Sequence, residues 1–490
     1  MRKQAQLVRF GARCLLLLVS AATAIGPARL AQAQQPEAPS AAKPDSASQD
    51  SPTAQPSPAD PEPDDNPETM FPHFKDTRFW LSGQANFIFQ THPPFHADYS
   101  GKNSLSPNYE KATSRVMTLY TGLRLNNSTE LLVDIEEAGG AALSTGLGLA
   151  GNTDLDIVRN PLLSKEPYLG RGMIHKVFAL SKDKVENQRS WLSLFDELPR
   201  RRLEIRFGKF SMPDFFDVNS VGSDTHLQFI NWTTDNNGAY DYAADTRGYT
   251  VGAMIELEER NWALRFAETL MPKVANGPDL DADVARARAE NLELELRPQL
   301  FQGKDTTIRL SNYINHGDMG NYEEAVQLYL DHVTPTPDIH ATAQQGTIKY
   351  GFGVNLEQEL WKDSYAFGRW GWNEGKHESF CYTEDNEGVE LGVYSRGTNW
   401  HRTLDRAGVA FVTSGLSKAH QAYLAYGGLG FLLGDGALDY GRENIEEVFY
   451  TAHVWRGAFL GGDIQHINNP GMNRARGPFT VPGIRLHLEF

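Results

Sequence analysis

Charged residues stand at alternate places through most of this chain, and seven of them carry the candidate chemistry. Arg124, Asp134 and Glu136 lie on the polar faces of two alternating segments, 116–125 and 129–136, joined across Asn126-Asn127-Ser128. Arg206 and Lys209 flank Phe207-Gly208, Asp217 falls in an irregular stretch, and Arg369 opens Arg369-Trp370-Gly371-Trp372. Guanidinium, ammonium and carboxylate groups along one face give strong hydrogen-bond donors and acceptors to a polar solute. The same groups also make cross-strand ion pairs that simply brace a wall. Arg206 and Lys209 have opposite parity, so both reach one side only across a bulge.

Catalysis finds no constellation here. The 14 histidines are scattered, with no Gly-x-Ser-x-Gly, no His-Glu-x-x-His and no phosphate-cradling glycine loop. The acid pair Glu136-Glu137 falls on a strand, where facing accounts for at least one carboxylate. Asp214, Asp217, Asn219 and Asp224 form an oxygen-rich stretch of the kind that suits calcium, but ordinary loop solvation is the better explanation of it. Gly434-Asp435-Gly436 with Asp439 and Glu443 lacks the spacing of a calcium loop. The expectation is therefore no enzyme, no metal and no cofactor.

The elements that carry these charges read as strands. Residues 483–490 alternate strictly: Ile484, Leu486, Leu488 and Phe490 share one face, and Arg485, His487 and Glu489 share the other. Successive side chains of a strand point to opposite sides, so one face is apolar and the other charged. Met117, Leu119, Leu123 and Leu125 likewise oppose Thr118, Tyr120 and Arg124, while Leu131, Val133 and Ile135 oppose the three acids of the next segment. Tyr249, Val251, Ala253, Ile255 and Leu257 lead through a turn at 258–261 to Trp262, Leu264 and Phe266. Leu292, Leu294 and Leu296 alternate with Glu293, Glu295 and Arg297. Segments 306–313, 347–360, 404–414, 421–432 and 447–455 read the same way. A dry core does not tolerate charge at every second place. A barrel with lipid outside and water inside requires it.

From residue 70 onward the texture is uniform, and about 420 residues at roughly 25 per strand and connection give some 16 to 18 strands. Segments 194–198 and 322–330 have helical spacing, and 212–237 lacks clean alternation, which marks loops, one of which could fold inward to narrow a pore. Trp370, Trp372, Trp400 and Trp455 are sugar platforms or, more in keeping with the parity of Arg369, an aromatic girdle where lipid meets water.

Residues 1–69 differ. Residues 1–33 read as a secretory signal, with Arg2, Lys3, Arg9 and Arg13 ahead of an apolar core and Ala31-Gln32-Ala33 as cleavage site. Its apolar stretch is too short to span a bilayer. Arg13 before Cys14 argues against lipidation there. Residues 34–69 are Pro, Ala, Ser, Asp and Glu without aromatics, a composition that cannot bury enough apolar surface to fold, and read as a disordered periplasmic tether. Residues 70–490 are the barrel. The signal holds five of the 46 basic residues and no acid, leaving 41 against 62 acids, a net of -21. That balance excludes nucleic acid as a partner and, in a lumen, favours cations or neutral solutes. Without the signal only Cys381 remains, so no internal disulfide staples the fold.

The hairpin residues Val116-Met117-Thr118-Leu119-Tyr120-Thr121-Gly122-Leu123-Arg124-Leu125 and Glu130-Leu131-Leu132-Val133-Asp134-Ile135-Glu136 resemble the carbohydrate-selective porins of the OprB family. So do Gly208-Lys209-Phe210, Gln228-Phe229-Ile230-Asn231-Trp232, Arg369-Trp370-Gly371-Trp372-Asn373, and the closing block with Asn469-Pro470 and Arg476-Gly477-Pro478. The likeness runs from Trp80 to Phe490; Ile464 stands where an aromatic is expected. It implies an antiparallel outer-membrane β-barrel of about 16 strands with inward loops. It also implies passive diffusion of mono- and small oligosaccharides; the seven charged residues, chosen by their facing and position, are then the pore-lining or sugar-contact candidates. The location implied is the outer membrane of a Gram-negative bacterium, and the partners are sugars, outer-membrane lipid and, through the strand ending in Phe490, the barrel-assembly machinery. The alternatives are a general or cation-preferring porin, or a barrel exporter or adhesin.

Overall fold

The computed structural model describes residues 68–74, 77–157, 163, 166–223, 226–301 and 303–490. The signal, nearly all of the 34–69 segment and Asp224 lie outside the described residues.

Sixteen strands make the wall. They are β1 (Phe79–His92), β2 (Glu110–Asn126), β3 (Thr129–Gly140), β4 (Tyr168–Ala179), β5 (Arg202–Phe210), β6 (Thr250–Glu258), β7 (Trp262–Thr269) and β8 (Arg288–Leu296). There follow β9 (Lys304–Met319), β10 (Gln344–Trp361), β11 (Ser364–Asn373), β12 (Glu387–Arg396), β13 (Arg406–Gly415), β14 (Glu443–Trp455), β15 (Ala458–Asn468) and β16 (Phe479–Glu489). Each pairs antiparallel with its neighbours in sequence, and β1 pairs with both β2 and β16, so the sheet closes and no edge is left open.

The two-residue rhythm is the reason these segments form this sheet. On β16, Ile484 is 56% exposed and Leu486 39%, while Arg485 and His487 between them are 3% and 0% exposed. The apolar face meets hydrocarbon and the charged face turns inward, where polar groups find partners. Leu292 and Leu296 point outward from β8, with Glu293 and Glu295 buried between them. Trp370 is exposed on the outer face, and Trp372 stacks on Phe352 with ring centroids 5.4 Å apart, as girdle residues do. At the other end of the wall Trp455 is exposed, and the Trp400 indole donates to the Tyr450 hydroxyl at 3.3 Å.

Connections at one end of the barrel are short, apart from 180–201 and 397–405. Those at the other end, 93–109, 141–167, 211–249, 270–287, 320–343, 374–386, 416–442 and 469–478, are long. Short turns belong to the periplasmic side of such barrels, which also holds the start of β1 and Phe490.

Three details depart from the periodicity. Residues 421–432, which alternate, are not a strand: α3 (Lys418–Ala425) covers their first half. The Ser417 hydroxyl caps it by accepting the His420 N–H, and Ala419, His420, Tyr423 and Leu424 form a buried stripe of helical period. That stripe packs on α2 (Tyr322–Leu330), with Tyr322 stacked on His420 at 4.2 Å, so the helical spacing of 322–330 holds. Segment 194–198 is not helical; Glu197–Pro199 instead pairs with Lys184–Glu186 in a small hairpin. Tyr249 precedes β6 after Gly248, whose φ of 87° turns the chain, and its ring goes inward although its parity matches outward Val251. A short helix, α1 (Trp232–Asp235), lies inside the barrel on the loop between β5 and β6.

Candidate functional site

The lumen is not simply open to water. Loops 141–157, 211–249 and 374–386 fold into it, and wall side chains catch their backbones. The Glu447 carboxylate on β14 accepts the N–H groups of Ile230 at 2.6 Å and Asn231 at 3.2 Å. Glu443 accepts those of Ala150 at 3.1 Å, Gly151 at 3.0 Å and Gly471 at 2.7 Å. Glu293 accepts that of Asp217 at 2.7 Å. Within the loops, Asp241 accepts the N–H groups of Phe380 at 2.9 Å, Cys381 at 2.7 Å and Tyr382 at 3.3 Å, and it also pairs with the Lys349 ammonium of β10 at 3.0 Å. A loop backbone buried in a lumen has many donors to satisfy, and charged acceptors make the stronger bonds.

A cavity of about 670 Å³ remains. It runs from Gly248 and Asn276 at the outer end to Arg406, Phe459 and Glu489 at the inner end. Its middle is aromatic and ionic. Arg171 of β4 makes two bonds of 2.7 Å to Asp214 and one of 3.3 Å to Asp134, and its guanidinium lies 4.2 Å from the Trp191 ring and 5.3 Å from Tyr249. Glu136 accepts the Tyr249 hydroxyl at 3.0 Å and also that of Tyr168. Arg247 covers the Tyr168 ring at 3.6 Å, and Trp232 stacks on Tyr382 at 5.5 Å. Aromatic faces and fixed charges of both signs therefore border the same space.

Two acids of loop 141–157 stand close together beneath this region. Burial pushes Asp154 up to about 7, and burial together with the Asp154 charge raises Asp156 well above the usual carboxylate range. Asp156 takes a 2.8 Å bond from the Asn86 amide and borders the cavity. On loop 211–249, burial outweighs the Arg369 charge and raises Asp217.

The seven residues singled out from the sequence divide sharply. Glu136 borders the main cavity. Asp134 is buried behind it, touching Arg171. Arg369 is the clamp of the inward loop: it pairs with Asp217 at 3.1 Å and Glu390 at 3.0 Å and donates to the Gly222 and Thr234 carbonyls at 3.3 Å. Arg206 is buried in the wall against Glu204 at 2.6 Å, its guanidinium over Phe215. Lys209 keeps the opposite parity with no bulge between them, and pairs with Asp245 at 3.5 Å beside a separate cavity of about 230 Å³ that Arg247 also borders. Arg124 lies at the periplasmic end, 3.3 Å from Asp196. The acids considered for calcium are committed elsewhere, Asp214 to Arg171 and Asp217 to Arg369. Among the described residues no group of three or more His, Cys, Asp or Glu is arranged to hold a metal.

Arg171, Trp191 and Tyr249 were not among the candidates. Arg171 sits in a segment without clean alternation, and Tyr249 reads as lipid-facing by parity. Trp191 had one usable signal, an apolar cluster Trp191-Leu192 and Leu194-Phe195 inside an unusually long connection at the short-turn end.

A closed sixteen-stranded antiparallel barrel, apolar outside and narrowed within by its own loops, defines an outer-membrane porin. The family model for the carbohydrate-selective porin, OprB family, matches residues 170–490, and the chain belongs to that family. The matched stretch begins in β4, so the 116–136 hairpin that also resembled the family precedes it. Among solved structures, the high-pH form of Pseudomonas putida OprB is similar, with 14% identity and a TM-score of 0.61 over 84% of this chain and 94% of that one. The channel DcaP of Acinetobacter baumannii matches at 8% identity and a TM-score of 0.46, over 84% of this chain and 97% of that one. OmpT of Vibrio cholerae matches at 8% and 0.43, over 86% and 100%. No curated protein sequence matches. The protein resides in the outer membrane of a Gram-negative bacterium.

Proposed function

We propose that this porin lets mono- and small oligosaccharides diffuse down their gradient into the periplasm. The observation that carries the reading is the lining of the main cavity, where Trp191, Trp232, Tyr242 and Tyr249 stand among Glu136, Arg171 and Asp214. A sugar offers an apolar ring face and a girdle of hydroxyls, and such a lining meets both. Each contact is modest, which suits passage, since a channel must release what it binds. Glu136, the one of the seven sequence candidates that lines this main cavity, is the residue we propose meets the solute there. Diffusion needs no catalysis, and none is proposed.

Liposome swelling over a series of neutral sugars of increasing size tests this. Entry of monosaccharides, falling off through the small oligosaccharides, is expected; exclusion of every neutral sugar while ions still pass would overturn it. The net of -21 on the chain without its signal favours a second reading, a cation-preferring porin. Strong cation selectivity in the reversal potential, with no block of the current by glucose, would favour that reading.

A further inference from the structure

Seven connections join strands at the periplasmic end. Six are turns of two to nine residues, and the seventh, 180–201, has 22. It does not lie along the rim. Its small hairpin leads the chain back into the barrel, where Leu194 is completely buried. Gly122 of β2 makes the room, since a Cβ there would fall 2.7 Å from a Leu194 methyl.

The segment is fastened at three points. Glu130 accepts the Leu194 N–H at 2.9 Å and holds His175 Nδ1 at 2.7 Å, while Glu204 holds Nε2 of the same ring at 2.7 Å. The His175 ring meets Phe195 edge-on at 6.0 Å. Arg189 donates to the carbonyls of Phe74 at 3.1 Å and of Thr77 and Phe79 at 3.2 Å, with its guanidinium 5.5 Å from Trp80.

What this anchorage delivers is Trp191. Its half-buried indole borders the main cavity, stacks on Tyr120 at 5.9 Å and touches Arg171 at 4.2 Å. Asp214, on loop 211–249 from the extracellular side, grips the same guanidinium. Elements from the two ends of the barrel thus meet at one arginine. We propose that segment 180–201 is a second constriction, entering from the periplasmic end, and that Trp191 on it sets the largest solute that passes.

Channels discriminate first by diameter, and a rigid indole held against a fixed guanidinium removes width without the mobility of a free loop. The proposal rests on the sugar reading only for its solutes; salt conductance measures the constriction without them. The experiment compares full-length wild type, Trp191→Ala and Trp191→Phe, each confirmed as folded by heat-modifiable migration. In planar bilayers, Trp191→Ala raises single-channel conductance in potassium chloride. In liposome swelling it moves the size limit up by about one hexose unit. Trp191→Phe shifts both by less, and it decides the matter should the alanine variant fail to fold. Unchanged conductance and size limit in the folded variants would overturn the proposal. A wild type that excludes all sugars, with conductance still rising in Trp191→Ala, would retire the sugar reading and leave the constriction standing.

Discussion

Arg369 shows what a charge does inside this barrel. Its side chain is 1% exposed between Asp217 and Glu390, and it ties the inward loop to the wall. Removing one member of a buried ionic set leaves the others uncompensated, at a cost of about 3–5 kcal/mol. Arg369→Met is therefore expected to lower the unfolding temperature substantially and to make the single-channel current noisy as loop 211–249 loosens. An undisturbed melt and a quiet trace would contradict the clamp. Asp154 and Asp156 make a prediction of the opposite kind. Both are raised in the folded protein, so in the window from about pH 4 to 7 the unfolded chain has already lost protons that the folded loop keeps. Stability from this pair is present below the unfolded value and declines as pH rises through the folded one. Compared with wild type, Asp156→Asn should flatten the fall in melting temperature between pH 5 and pH 8; a parallel pH profile would refute the linkage.

The strands follow a rule that single substitutions can test. Leu391, in the middle of β12, is 57% exposed to what the fold presents as hydrocarbon. Leu391→Arg should cost up to about 2–4 kcal/mol, the value for a cation near the bilayer midplane, read as lost folding yield into lipid vesicles, whereas Leu391→Ala should be mild. Equal tolerance of both would mean the face is not lipid-facing. The same rule explains where the sequence misled. Residues 421–432 alternate as well as several true strands do, yet α3 forms there because Tyr322 and the other buried partners of α2 reward a helical stripe. Tertiary packing outweighs local pattern when a segment lies over the lumen and no longer has lipid on one side.

For the molecule as a whole, closure is the decisive event. The seam joins β1 to β16 over seven residue pairs from Gln84–Glu489 to Gln90–Gly483. The N-terminal segment reinforces it: Met70 donates to the Glu489 carbonyl at 2.8 Å, and the Phe71 ring stacks on Phe490 at 6.5 Å. Phe490 therefore serves the seam, and we expect the terminal strand to serve assembly too. Deleting Phe490 should reduce the heat-modifiable, folded form recovered from the outer membrane several-fold. Normal recovery would remove the terminal aromatic from any part in assembly.

The sequence by itself determined the wall. Lipid outside and polar groups inside impose a period of two on every crossing segment, and that period is local, so β2, β3, β8 and β16 could be read without coordinates. It also placed Asp134, Glu136 and Arg369 on the inward face. Only the tertiary structure decided which inward charges meet open space. Glu447 catches Ile230 across 217 positions and Arg369 holds Asp217 across 152, distances over which no periodicity carries information. The wall is written by a solvent that touches every strand alike, whereas the eyelet is made by loops meeting far along the chain.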